Sequence, residues 1–209
     1  VRFGIPLFDK RGRLERDDLL DFVEIVERNQ ASLFSEGNMS PIEKSLEQAI
    51  DLQEFCREVG SIVGINIIAN KGHLFSGVKI HALCEKYGLR LHDQGGFLFE
   101  DSQNQLLFSL DSSGAESLKS ETMRKLMVPG ITFLVDVPMV SDGLKVFDRV
   151  IELARIFAED LNGNVVDDNR RPLVASACVK IRDNLKDVYK KMNDYGVPPG
   201  SETARRIFY

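Results

Sequence analysis

The sequence predicts an α+β fold of the split β-α-β type: one mainly antiparallel sheet of about six strands with three helices on one face, preceded by a helical N-terminal segment. Three observations carry that expectation. From Ile62 onward, short β-branched runs alternate with amphipathic segments. The apolar residues of those segments recur by threes and fours, which places them on one side of a helix. Before Ile62 there are two helix candidates and almost no strand signal. The chain is therefore expected to divide into a helical segment or arm at 1–59, a module at 60–195 and a flexible tail at 196–209.

In the first segment, Leu19, Phe22, Val23 and Val26 recur at helical spacing within an acidic stretch. Ser35-Glu36-Gly37-Asn38 reads as a loop. Ser40-Pro41-Ile42-Glu43 resembles a capping box with proline at the first helical position, and Ile42, Leu46, Ala49 and Ile50 continue as one apolar stripe. That helix, at 41–58, can pack on the module as an extension, remain a mobile arm, or cover part of the sheet.

The module opens with the β-branched strand Ile62–Ile68. A helix follows at 76–87, ended by Gly88. Leu89–His92, Gly96–Glu100 and Gln105–Leu110 are short strands, the last two joined by the polar turn Asp101-Ser102-Gln103-Asn104. A short helix is predicted around 116–127, and then the strong strand Ile131–Val137. The next helix spans Asp142–Leu161, with Leu144, Phe147, Ile151, Ala154, Phe157 and Leu161 on one side, and Asn162-Gly163 stops it. Val165-Val166 is a short strand, and the last helix runs over 175–193 on a seam of Cys178, Ile181, Leu185, Val188 and Met192. Gly196-Val197-Pro198-Pro199-Gly200 breaks the structure, leaving the final residues mobile. Helices on one face leave the other face of the sheet uncovered, so that face is either polar or a binding surface.

Composition narrows the function classes. The net charge is −5 with both signs mixed along most of the 209 residues, whereas nucleic-acid binding needs a concentrated basic face. Cys56, Cys84 and Cys178 are widely separated and share no C-x-x-C spacing, as expected of small buried hydrophobes in a reducing compartment. No apolar run reaches the roughly 18 residues of a membrane span, and no signal peptide is present. A chain starting at Val1 is expected to be a fragment or a processed product.

Catalytic chemistry gathers little support. His73, His81 and His92 fall in a loop, on a helix and at a strand end, without metal spacing. Gly95-Gly96 lies in no phosphate-loop pattern, and no G-x-S-x-G occurs. No cofactor, metal site or catalytic residue is therefore expected. Asp167 and Asp168 could in principle bind a metal or work as acid and base. Neighbours in a strand point to opposite faces, however, and Val166-Asp167-Asp168-Asn169-Arg170-Arg171 reads more simply as a turn.

The string Gly163-Asn164-Val165-Val166-Asp167-Asp168-Asn169-Arg170-Arg171 resembles an element of the C-terminal domain family of the bacterial division protein ZipA. Pro129–Pro138 is similar to that family's central strand, bracketed by prolines in the same way, and Leu107-Phe108-Ser109-Leu110 resembles the strand before it. The helix Ala154–Leu161 and the Ile65-Asn66 strand fit as well, so the resemblance spans residues 61 to 194.

The resemblance implies a non-enzymatic division protein whose partner is the C-terminal tail peptide of FtsZ, laid along the open face of the sheet. It implies a monomer that tethers and stabilises the division ring from the cytoplasmic face of the inner membrane, touching the membrane only through an N-terminal anchor absent from this chain. Matching the family's groove positions gives Ile62, Gly64, Gln94, Gly96, Asp111, Ser113, Thr132 and Leu134. Several of these are large and apolar in relatives but glycine, glutamine, aspartate or serine here, and Leu134 stands where an aromatic is usual. A shallower, more polar groove follows, with affinity on the order of micromolar for a tail that must be ordered to bind. Two readings from other classes stand beside this one: a small-molecule-sensing regulatory domain, and an enzyme using Asp167 and Asp168.

Overall fold

Ile131, Phe133 and Val135 are buried and alternate with the less buried Thr132 and Leu134, so the central strand has one face in the core and one outside it. The computed structural model describes residues 4–9, 11–32, 40–114 and 116–208, side chains of 30–32 excepted. The loop predicted at 35–38 lies outside the described residues.

In chain order the elements are β1 (Phe8–Asp9), β2 (Gly12–Arg13), α1 (Arg16–Ser32), α2 (Ile42–Val59), β3 (Ile62–Ala69), β4 (Phe75–Ser76) and α3 (Gly77–Lys86). There follow β5 (Arg90–Leu91), β6 (Phe97–Glu100), β7 (Leu106–Ser112), β8 (Met127–Val128) and β9 (Gly130–Asp136). A single 3-10 turn (Val137–Met139) leads to α4 (Gly143–Leu161), β10 (Gly163–Val166), α5 (Ala175–Asp194) and α6 (Glu202–Phe208).

Six strands form one sheet in the order β10-β3-β9-β7-β6-β5, and every neighbouring pair is antiparallel. The predicted α+β architecture is the one observed. Helices α3, α4 and α5 deliver Ile80, Phe157 and Leu185 to the same core as Ile131, Phe133 and Phe108 of the sheet. Phe133 meets Phe108 and Phe157 edge to face, with centroids 5.9 and 5.3 Å apart, an arrangement favoured by the ring quadrupoles. At the start of β10 the backbone passes close to its neighbours. A methyl on Gly163 would lie 2.5 Å from Phe75 Cζ and 2.7 Å from the Ile68 carbonyl oxygen.

Three sequence expectations are corrected. No helix forms at 116–127: described residues there make turns, and Met127-Val128 instead pairs with β4 as a strand. Leu118, Met123 and Leu126 are buried, and the Gly77 N–H donates to the Leu126 carbonyl at 2.8 Å. So short a segment gains more from these tertiary partners than from a marginal isolated helix. The capping box is not made either, because α2 begins at Ile42 with Pro41 as its cap and no side-chain cap bond.

The third correction is the mobile end. Residues 202–208 fold as α6, whose Ala204 is fully buried. It belongs to a second apolar cluster with Phe55, Cys56 and Val59 of α2, Met192 of α5, and Val197. The Phe55 and Tyr195 rings stack at 3.9 Å, 7° from parallel. Val197 sits inside the Gly-Pro stretch, and the Gly200 N–H donates to the Pro138 carbonyl at 2.9 Å, so this segment docks the chain back onto the sheet's end. Helix α5 thus carries one core on Leu185 and another, about two turns further on, at Met192.

Candidate functional site

The outer face of the sheet follows from register. Gly64 of β3, Leu134 of β9 and Ser109 of β7 lie side by side, as do Asn66, Thr132 and Asp111 one step along, and Ile62 pairs with Asp136. Directly opposed residues share a face, and this is the face away from the helices. Leu107 has the same parity as Ser109 and Asp111.

This face has two ends of different character. At the polar end the Thr132 hydroxyl donates to Asn66 Oδ1 at 2.8 Å, and Asn66 Nδ2 donates to Asp168 Oδ1 at 3.0 Å. Polar groups satisfied within the protein have little left to offer an apolar ligand. At the other end Ile62, 65% exposed, and Leu134 form an apolar floor. Leu106, Leu107, Met139 and Val140 join them around a groove of about 600 Å³. Asp136 and Arg205 are its charged members. Loss of hydration raises the Asp136 carboxyl above its ordinary value.

The residues expected at the site fall as follows. Ile62 and Leu134 line the groove. Gly64 lies between the two ends, where an added methyl would touch Thr132 Cγ2 at 3.6 Å and Leu134 Cδ2 at 3.8 Å. Thr132 and Asp111 occupy the polar end. Ser113 is past the end of β7, bonded through its N–H to the Gly130 carbonyl at 3.0 Å. Gly96 is buried with φ +78°, a left-handed conformation in which a methyl would press on the Leu110 carbonyl at 3.2 Å, so its glycine serves backbone geometry. Gln94 sits exposed in the adjoining turn. Gly96, Gln94 and Ser113 do not line the groove.

Leu107, Met139 and Arg205 do line it and were not singled out from the sequence. Leu107 was within reach of the period-two pattern. Met139 comes through the turn after β9, and Arg205 arrives on α6, whose docking has no local signature.

Elsewhere the aspartate string makes a turn. Asp167 Oδ1 accepts the N–H groups of Asn169 at 2.9 Å and Arg171 at 2.8 Å, and Arg170 takes φ +61°. This is the local bonding that Asp favours in turns. Replacing Asp167 by Ala should cost about 1.5–3 kcal/mol, the range for hydrogen bonds to a charged group. Urea denaturation followed by circular dichroism reads this directly, and an unchanged midpoint would contradict a structural role. Among the described residues no group of three His, Cys, Asp or Glu gathers to hold a metal. Cys56 and Cys84 are buried and Cys178 half-buried, all as free thiols. Burial pushes the Cys56 thiol up to about 11 and that of Cys84 higher still. No described helix is long and apolar enough to cross a membrane.

A family model described as the ZipA C-terminal FtsZ-binding domain matches residues 61–184. The cell division protein ZipA of Marinobacter nauticus is 25% identical over 138 residues, covering 64% of this chain and 41% of that protein. The cell division protein ZipA of Xanthomonas axonopodis pv. citri is 26% identical over 153 residues, covering 71% of this chain and 62% of that protein. The alignments thus span only 41% and 62% of these relatives' own lengths. The matched residues hold the entire six-stranded sheet and leave α1, α2 and α6 outside.

Proposed function

The chain belongs to the ZipA C-terminal FtsZ-binding domain family, and from that premise we propose that it binds the C-terminal tail peptide of FtsZ on the open face of its sheet. The supporting observation is the apolar end of that face, where Ile62 and Leu134 stand uncovered by any helix of the core. An amphipathic peptide would lay its apolar side on this floor, with a few aliphatic contacts supplying most of the energy. Each well-buried aliphatic side chain contributes about 1.5–3 kcal/mol. Three or four such contacts, less the cost of ordering the tail, suit an affinity near −8 kcal/mol, or about micromolar.

Recognition of this kind makes and breaks no covalent bond. The domain acts as a monomeric, non-enzymatic tether that stabilises the division ring. Its place of action is the cytoplasmic face of the inner membrane, with the anchor on a segment N-terminal to the domain. The partner-binding residues proposed are Ile62 and Leu134 at the apolar end of the face, Gly64 between the two ends and Thr132 and Asp111 at the polar end, with Gln94, Gly96 and Ser113 outside the groove itself.

Fluorescence anisotropy of the full chain, titrated into a labelled FtsZ tail peptide from the same organism, should give a saturable curve with a midpoint near micromolar. No binding up to about millimolar protein would reject this function.

A further inference from the structure

Arg205 is half-buried and its guanidinium is held by a neutral group, the Gln105 side-chain oxygen, at 2.5 Å. Among the described residues it forms no ion pair, unlike its neighbour Arg206, which pairs with Glu202 on the exposed side of α6. It is also the sole cation among the groove's described lining residues, standing beside the apolar floor of Ile62, Leu107 and Leu134. A guanidinium has five donors in a planar fork, so one bond to Gln105 leaves others free while fixing the orientation of the group. A partly desolvated arginine in no ion pair is a ready site for an incoming carboxylate, to which it donates charge-assisted, often bidentate hydrogen bonds.

We propose that Arg205 is a specificity-determining residue of the groove, reading an acidic side chain of the bound FtsZ tail. This rests on the function proposed above and adds an electrostatic requirement to it. Two observations favour a side chain of the peptide over its terminal carboxylate. The floor crosses three neighbouring strands, β3, β9 and β7. Met139 and Val140 follow directly from β9, and Arg205 reaches Gln105 just before β7, so the wall runs along the floor rather than across its end. A peptide lying on that floor passes the arginine with its side chains. Arg205 comes from beyond residue 184, where the family match stops.

The test is a double-mutant cycle on the full chain. Wild type, Arg205→Ala and Arg206→Ala are titrated against the FtsZ tail peptide and against versions in which each Asp or Glu is changed singly to Asn or Gln. Arg205→Ala should weaken binding about tenfold, as expected for a charge pair at an interface. One acid-to-amide peptide should lose the same tenfold against wild type and nothing further against Arg205→Ala. Arg206→Ala should bind within about twofold of wild type, because its charge faces solvent. Equal loss for all peptides, or no loss at all, would make Arg205 only a clamp between α6 and the β6–β7 turn and would overturn the inference while the FtsZ reading stands. If wild type itself fails to bind any peptide, the reading and the inference fall together.

Discussion

Leu134→Asp is expected to abolish tail binding, raising the Kd at least about thirtyfold, the equivalent of 2 kcal/mol or more. The substitution places a charge where the proposed ligand's apolar side chains would sit, and an ionised carboxylate without a partner resists burial there. It adds a carboxylate one strand step from Asp136, whose like charge opposes it, and removes the apolar floor beside Ile62. The fold should survive, because Leu134 points away from the core and is not a member of it. Unfolding free energies of the variant and wild type should agree to within about 1 kcal/mol, in the range of surface substitutions with some local cost. Retained affinity in a folded Leu134→Asp protein would move the binding site off this face.

One residue earlier the consequence reverses. Phe133 is fully buried and packs edge to face on Phe108 and Phe157. Phe133→Ala removes those contacts and leaves a cavity between sheet and helices, for which about 3–5 kcal/mol is the usual cost. Domains of this kind hold only about 5–15 kcal/mol in total, so the variant should be close to unfolding at physiological temperature. Chemical denaturation monitored by circular dichroism gives the number, and a loss below about 1 kcal/mol would be incompatible with a close-packed site. Adjacent residues on one strand thus separate binding from stability, since the side-chain period of a strand is two.

The same period explains how much was legible beforehand. The strand Ile131–Val137 and the seam of Asp142–Leu161 announce their buried sides through spacing alone, and both appear as expected, within a residue or so of the predicted ends. The uncovered face and the places of Thr132 and Leu134 on it follow from the same alternation, whereas Ile62 and Gly64 came from the family resemblance and share that face by register. The aspartate turn was also legible, because Asp167 bonds to N–H groups two and four residues away.

What failed were elements whose conformation is chosen by distant partners. Residues 116–127 carry helix-compatible chemistry, yet Leu118 and Leu126 reach the core and Val128 pairs with Phe75. The tail looked mobile because its glycines and prolines break local structure, and nothing nearby in sequence signals that Ala204 fits against Phe55 and Val59.

Length scale therefore separates what the sequence determined by itself from what the tertiary structure decided. Period, turn chemistry and composition act over a few residues, and they set the α+β class, the strands and their facing, and the weakness of any catalytic or nucleic-acid reading. The approach of Arg205 to Gln105 spans 100 positions, and the second core and the wall of the groove likewise join residues far apart in the chain. Such contacts form only when the whole chain has folded, because a periodic seam such as the one ending at Met192 marks the apolar side of a helix but not the distant partner that covers it.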